Sequence, residues 1–159
     1  MKKLPEEIAA KPPKLRQATA EDCSLMFRLQ HLDGAQLDEG DPEQLAKYEK
    51  YRNDFDKNKI QVIELGGVAV GRLRVVREDS IYIGGFQILP EYRGQGLGTA
   101  ILDSLVLESE QSGVPITLEV FNDNTEAVKL YEKIGFVITE ESAKQKNMRY
   151  QPFSALTSR

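Results

Sequence analysis

Residues 90–102, reading Pro-Glu-Tyr-Arg-Gly-Gln-Gly-Leu-Gly-Thr-Ala-Ile-Leu, constrain this chain more than any other stretch. An apolar, β-branched run at 81–89 enters three alternating glycines and leaves as an amphipathic helix. Gly94, Gly96 and Gly98 carry no Cβ, so the backbone there can take positive φ and approach a ligand closely. The unpaired N–H groups of the first helical turn then act with the helix dipole, about half a positive charge, to hold phosphate oxygens. A strand that runs through such a turn into a helix is an anion cradle.

Two familiar glycine loops do not fit it. A P-loop places Lys-Ser/Thr after its last glycine, whereas Thr99-Ala100 follows here. A dinucleotide fingerprint spaces its glycines G-x-G-x-x-G, whereas these alternate behind Arg93. A second motif lies downstream, Leu-Glu-Val-Phe-Asn-Asp-Asn-Thr-Glu-Ala-Val-Lys-Leu-Tyr-Glu-Lys-Ile-Gly-Phe over residues 118–136. The first segment resembles the R/Q-x-x-G-x-G/A pattern of the GNAT superfamily of acyl-CoA-dependent N-acyltransferases. The second is similar to that family's strand followed by N-x-x-A-x-x-L-Y-x-x-x-G-F, with Asn124, Ala127, Leu130, Tyr131, Gly135 and Phe136 in place. From the first residue of one to the last of the other, 90–136, the motifs span about a third of the chain. The rest agrees in length and element order.

Composition limits the chemistry. One cysteine, Cys23, allows no internal disulfide, and one histidine, His31, leaves little for a zinc site or a Ser-His-Asp triad, so no metal is expected. Both lie in or beside the first helix, where packing is the expected role. The net charge of −4 argues against nucleic acid as the main partner. Arg72 and Arg74 share one face of a strand and read as a solvated sheet face. No apolar leader opens the chain and no 18-residue apolar run follows, so neither a membrane nor secretion is expected, and the cytoplasm is the expected compartment.

Read along its length, the 159-residue chain is expected to hold an N-terminal arm at 1–13, a single domain at 14–153 and a tail at 154–159. A short strand at 14–18 precedes a helix opened by a Thr19/Asp22 capping box and striped by Leu25, Met26, Leu29 and Leu32. Asp41 and Pro42 open a second helix with Leu45, Tyr48, Arg52 and Phe55 on one stripe. Residues 60–65 and 68–76 read as a hairpin around Gly66-Gly67, and 81–89 as the next strand. The helix after the cradle buries Leu97, Ile101, Leu102 and Leu105 and stops at Gly113 and Pro115. A strand at 116–121, a helix capped by Asp123 with Glu126, and strands at 136–139 and about 147–152 complete the order. This order gives an α+β domain on a mixed, mostly antiparallel sheet flanked by helices, with one parallel pair joined by a right-handed crossover. The resemblance implies the GNAT-like acyl-CoA N-acyltransferase fold, three layers in the order α/β/α.

The resemblance further implies acetyl-CoA as cosubstrate and coenzyme A as product. Its diphosphate would lie on the amides of Arg93, Gly94, Gln95, Gly96, Leu97, Gly98 and Thr99, and its pantetheine on the amides around Gln87 and Ile88. Backbone donors aimed at developing negative charge are typically worth several kcal/mol. Tyr131, whose ordinary pKa of about 10 leaves it protonated, is the expected general acid toward a thiolate of pKa about 8.5; periodicity alone also allows the lesser reading of a core aromatic, which the family motif weakens. Asn124 sits at a helix start, where it caps, and the resemblance adds a contact to the cosubstrate. An acceptor amine of pKa about 10.4 costs about 4 kcal/mol to deprotonate at pH 7. Glu119 matches the base of some peptide-acetylating relatives, acting through water, while 84–87 carries no carboxylate, so residue and water stay open as the base. Asp33, Asp38, Glu39 and Asp41 form an acidic loop that would attract a cationic amine or simply cap and solvate. With no evident nucleophile, direct attack in a ternary complex is expected. Small-molecule and peptide acceptors stay open, as do the acyl-chain preference and the homodimerisation common among relatives. The rival reading is a non-catalytic acyl-CoA sensor or scaffold.

Overall fold

The computed structural model describes residues 12–153; residues 1–11 of the expected arm and the tail at 154–159 lie outside the described residues. Among the described residues seven strands and four helices follow in this order: β1 (Lys14–Gln17), α1 (Cys23–His31), α2 (Pro42–Asp54), β2 (Gln61–Leu65), β3 (Val68–Arg77), β4 (Ile81–Ile88), α3 (Leu97–Ser112), β5 (Ile116–Phe121), α4 (Thr125–Ile134), β6 (Val137–Glu141) and β7 (Gln145–Tyr150). Strand order is β1-β2-β3-β4-β5-β7-β6. β4 and β5 pair parallel, while β1/β2, β2/β3, β5/β7 and β6/β7 pair antiparallel. The expected mixed, mostly antiparallel sheet is therefore observed. The residues form two compact units, one holding 12–74 with Gly85–Leu97 and the other Val75–Gly84 with Gly98 onward.

In the first unit the β2–β3 hairpin turns on Gly66 and Gly67, both at positive φ (59° and 82°), as a two-residue turn matched to strand twist requires. Ala18, Met26, Leu29, Ile60, Val62 and Leu89 form its core. The first helix is anchored before it starts. Thr19 N donates to Asp22 Oδ2 (2.7 Å), and Arg16 donates to Asp22 (2.8 and 2.9 Å) and to Glu64 (2.8 Å), tying β1 to β2 and to the helix entry. Asp41 Oδ1 accepts from Glu43 N (3.0 Å) and Gln44 N (3.4 Å), opening α2 with Pro42 at its first turn. The expected apolar stripe of α2 is only half-buried: Leu45, Tyr48 and Phe55 are intermediate and Arg52 is exposed. Its aromatic residues pack on one another and on Phe27 instead, with Phe27–Tyr48 and Phe27–Tyr51 centroids 5.1 and 5.4 Å apart.

In the second unit β4 and β5 pair through Ile81↔Ile116, Tyr82↔Thr117 and Ile83↔Leu118. From α3, Ile101, Leu102 and Leu105 are buried as expected, and so is Ser109, whose Oγ donates to the Val114 carbonyl (2.5 Å). Helix α3 ends at Gly113, φ 75°, whose N–H donates to Ser109 O. The cap of α4 is Asn124, with Oδ1 accepting from Ala127 N (3.4 Å), and not Asp123: the Asn122-Asp123 turn sets the helix start one residue later than a D-x-x-E box proposes. Strand β7 starts at Gln145, two residues before the expected start, because Ser142 N donates to Gln145 O and closes a tight turn from β6.

The Arg16–Asp22 bridge makes stability pH-dependent. The Arg16 hydrogen bond, the largest influence, outweighs burial and holds the Asp22 carboxyl below the usual range. Its contribution is therefore complete above pH about 3.9 and is lost as pH falls through the lower folded value. Asp22→Asn is expected to lose about 1 kcal/mol at pH 7, discounted for the partly exposed Arg16, and to flatten the stability profile between pH 5 and 2. Urea unfolding across that window checks it; a profile parallel to wild type contradicts it.

Candidate functional site

At the end of β4, Leu89 N donates to Val70 O (2.8 Å), and a single turn at Pro90–Tyr92 reverses the chain through Tyr92 N to Leu89 O and Arg93 N to Pro90 O. Gly94 and Gly96 follow at φ 74° and 82°. Both are exposed, and a Cβ built at either meets no atom within 4 Å. Open space together with positive φ means that conformation, and not crowding, requires glycine at both positions. Gln95 is also exposed, and Leu97 is buried as the first residue of α3. The turn thus delivers the chain to a sixteen-residue helix, whose first four N–H groups have no intrahelical partner.

Arg93 has a different geometry from a free phosphate ligand. Its Nε donates to the Ile88 carbonyl (2.9 Å) and its terminal nitrogens pair with Asp33 in the loop after α1. That loop is itself seated on β4: Gly34, φ 85°, leaves a site where a Cβ would stand 2.7 Å from Leu89 Cδ2. Arg93 therefore clamps the turn, leaving the main chain as its exposed donor surface. Asp41 caps α2 and Asp38 accepts from Gly40 N (2.9 Å), so three of the four acidic residues of the expected rim already have partners.

Alternation along β4 separates Gln87 from Ile88. Leu89 bonds toward β3, so the backbone groups of Ile88 point to the opposite strand edge, where its carbonyl meets Arg93. The Gln87 side chain accepts from Arg72 Nη1 (3.0 Å).

Gly98, Thr99, Glu119, Asn124 and Tyr131 belong to the second unit. Tyr131 is 8% exposed, packed at 5.4 Å from the Phe136 ring, and burial alone pushes its phenol up to about 12. Glu119 is exposed on β5, opposite Asn147 of β7. Cys23 is buried at 6%, and burial pushes its thiol up, which favours the un-ionised form.

Sequence reasoning missed Arg72. It is not on a solvated sheet face: only 5% of it is exposed, and it lies against Tyr51 of α2, whose charge and hydrogen bond oppose the lowering of its pKa by burial. Alternation along β3 carries no mark of which face a helix will cover. The signal that could have found it is Gly85, whose missing side chain is where the guanidinium lies.

The family model described as the acetyltransferase (GNAT) family matches residues 26–136. Over 77 residues the chain is 36% identical to the ribosomal protein bS18 alanine N-acetyltransferase of Escherichia coli strain K12, covering 48% of this chain and 52% of that protein. The chain thus spans about half the length of the curated relatives it matches. Among solved structures, an N-acetyltransferase from Staphylococcus aureus Mu50 superposes with a TM-score of 0.68 at 19% identity, over 86% of this chain and 100% of that one. A PaiA N-acetyltransferase from Thermoplasma acidophilum, in complex with coenzyme A, superposes at 0.64 and 14% identity over 89% and 99%. Likeness at such identities carries the fold. The family match, which takes in both the glycine turn and the α4 motif, carries the relationship: this chain belongs to the GNAT acetyltransferase family.

Proposed function

We propose that the protein is an N-acetyltransferase that moves an acetyl group from acetyl-CoA to a primary amine by direct attack in a ternary complex. The observation that carries this reading is the exposed main chain at Gly94 and Gly96 leading into α3, which fits a diphosphate better than any side-chain cluster among the described residues. The residues proposed to bind the cosubstrate are Arg93 to Thr99, Ile88, Gln87 and Asn124. When bound, acetyl-CoA supplies an activated acetyl thioester.

Tyr131 is proposed as the proton partner of the departing sulfur. Its phenol, at about 12, holds its proton more tightly than a free thiol of about 8.5, so complete transfer is uphill by about 3.5 units, or about 5 kcal/mol. The role that follows is a hydrogen bond donated to the sulfur as charge develops, with solvent completing protonation. Glu119, exposed and carboxylate-bearing, is proposed to relay the amine's proton through water. Direct attack is supported by the buried, un-ionised Cys23, which is poorly suited to form an acyl-enzyme. The acceptor is a small-molecule or peptide amine, the latter in line with the bS18 alanine N-acetyltransferase. A cytoplasmic setting is part of the same reading; no helix among the described residues is long and apolar enough to cross a membrane.

Free coenzyme A release across a panel of amines, amino acids and peptides tests this. Tyr131→Phe is expected to lower kcat by about 100-fold with acetyl-CoA affinity within twofold of wild type; equal rates remove Tyr131 from the reaction. Glu119→Gln is expected to lower kcat/KM near pH 7 by about tenfold, whereas an unchanged kcat/KM assigns the relay to water alone. Gly96→Ala, forced into a conformation that L side chains resist, is expected to weaken coenzyme A binding about tenfold by calorimetry without loss of fold. Stabilisation by acetyl-CoA with no thiol release over the whole panel would favour the sensor reading.

A further inference from the structure

Among the described residues Asp33 is the one non-glycine at positive φ (50°). It stands just past α1, in a loop whose neighbouring residues are tightly held. Leu32 N and Gly34 N both donate to the Arg28 carbonyl (2.9 and 2.8 Å), closing the helix end. The Arg28 side chain adds to this, donating from Nη2 to Gly34 O (2.8 Å) and from Nε to Ala35 O (3.1 Å). Gly34, φ 85°, lies so close to the end of β4 that a Cβ would stand 2.7 Å from Leu89 Cδ2 and 3.1 Å from Pro90 Cδ. A left-handed conformation is disfavoured for an L side chain and persists where the surroundings over-determine it, often where the residue is used.

This backbone delivers a carboxylate to Arg93. Asp33 Oδ1 accepts from Arg93 Nη2 and Oδ2 from Nη1 (3.5 Å), while Arg93 Nε donates to the Ile88 carbonyl (2.9 Å). One guanidinium thus joins the loop after α1, the last residue of β4 and the entrance of the glycine turn. Gly94 and Gly96 have open space around them, and glycine loses more conformational freedom on ordering than any other residue. Such a turn binds tightly only if its ends are fixed beforehand, so that the ligand need not order it. Leu97, buried at the start of α3, fixes one end. Arg93 fixes the other, with the Gln95 side chain on Glu91 O (3.3 Å). The Arg93 and Asp33 side chains are 44% and 72% exposed, so the pair adds little to global stability and acts locally.

Asp33 has two effects of opposite sign on a diphosphate in the turn. Its charge repels the anion, an effect that salt screens. By holding the Arg93 fork it also keeps the main-chain donors aligned. We propose that Asp33 is a positioning residue for the cosubstrate, acting through Arg93, and that alignment outweighs repulsion. This rests on the reading of the glycine turn as the diphosphate site.

The test measures coenzyme A binding by calorimetry and turnover in wild type, Asp33→Gly, Asp33→Asn, Arg93→Met and the Asp33→Gly/Arg93→Met pair. Glycine and asparagine both tolerate positive φ, so the two Asp33 variants remove the charge and keep the backbone. Asp33→Gly is expected to weaken coenzyme A binding about tenfold, with a melting temperature within about 2 °C of wild type and kcat unchanged at saturating acetyl-CoA and amine. Asp33→Asn is expected to weaken it by about threefold, which provides a second reading should Asp33→Gly fail to fold. In the Arg93→Met background Asp33→Gly is expected to cost nothing further, because a residue that acts through the fork has no effect once the fork is gone. With no ligand present, exchange of the Arg93 Nε–H followed by NMR is expected to quicken in Asp33→Gly as its bond to Ile88 loosens. Tighter binding by Asp33→Gly shows repulsion in command and overturns the proposal. Additive losses in the double variant overturn it as well, as does a changed amine KM with coenzyme A affinity intact, which makes Asp33 part of an acceptor rim. Wild type that binds no coenzyme A overturns the diphosphate reading and this proposal with it; wild type and Asp33→Gly binding equally overturn this proposal alone.

Discussion

The N–H groups at the start of a helix have no partner within the helix, and in this chain the residues leading to them are shaped by two glycines held at positive φ. Most of the local structure around the turn serves that arrangement. Leu89 is fixed to β3 by its amide and packed under Gly34, Pro90 starts a single turn, and Arg93 ties the Ile88 carbonyl to Asp33. Side-chain charge is used to hold the loop while main-chain charge is left outward. A diphosphate bound there would rely on oriented amides, a form of recognition that needs no net positive protein and agrees with a chain of charge −4.

Two buried polar groups outside that turn have opposite characters. Ser109 is fully buried and satisfied by the Val114 carbonyl, so it closes the end of α3 and asks for nothing more. Arg72 is nearly as buried but is a cation, held by Gln87 and Tyr51 with no carboxylate paired to it among the described residues, over the space left by Gly85. A purely structural role would be served as well by an apolar residue of similar volume, which avoids the loss of hydration.

The parts that were legible in the sequence are those where backbone conformation and residue type are tied together. Gly66-Gly67 announces the hairpin, Asp41-Pro42 the start of α2, and Gly94, Gly96 and Gly113 the ends of elements, because each needs a φ or a donor that few residues supply. The apolar stripe of α3 was legible for the same reason, with a period set by the helix itself. What the sequence hid is how far along a strand face the cover extends. Arg72 and Arg74 alternate identically in β3, but only Arg72 lies against α2, a contact made by residues more than fifteen positions away. Asp123 and Asn124 are both good caps, and only the turn geometry before α4 selects Asn124.

If oriented main-chain donors are what hold the cosubstrate, affinity must reside in the diphosphate. Isothermal titration with coenzyme A and, in parallel, with pantetheine, which shares the thiol arm and lacks the diphosphate, measures this directly. Coenzyme A is expected to bind at least about 100-fold more tightly than pantetheine, as the loss of two charge-assisted hydrogen bonds implies. Equal affinities, or no heat with coenzyme A, would contradict the account at its base.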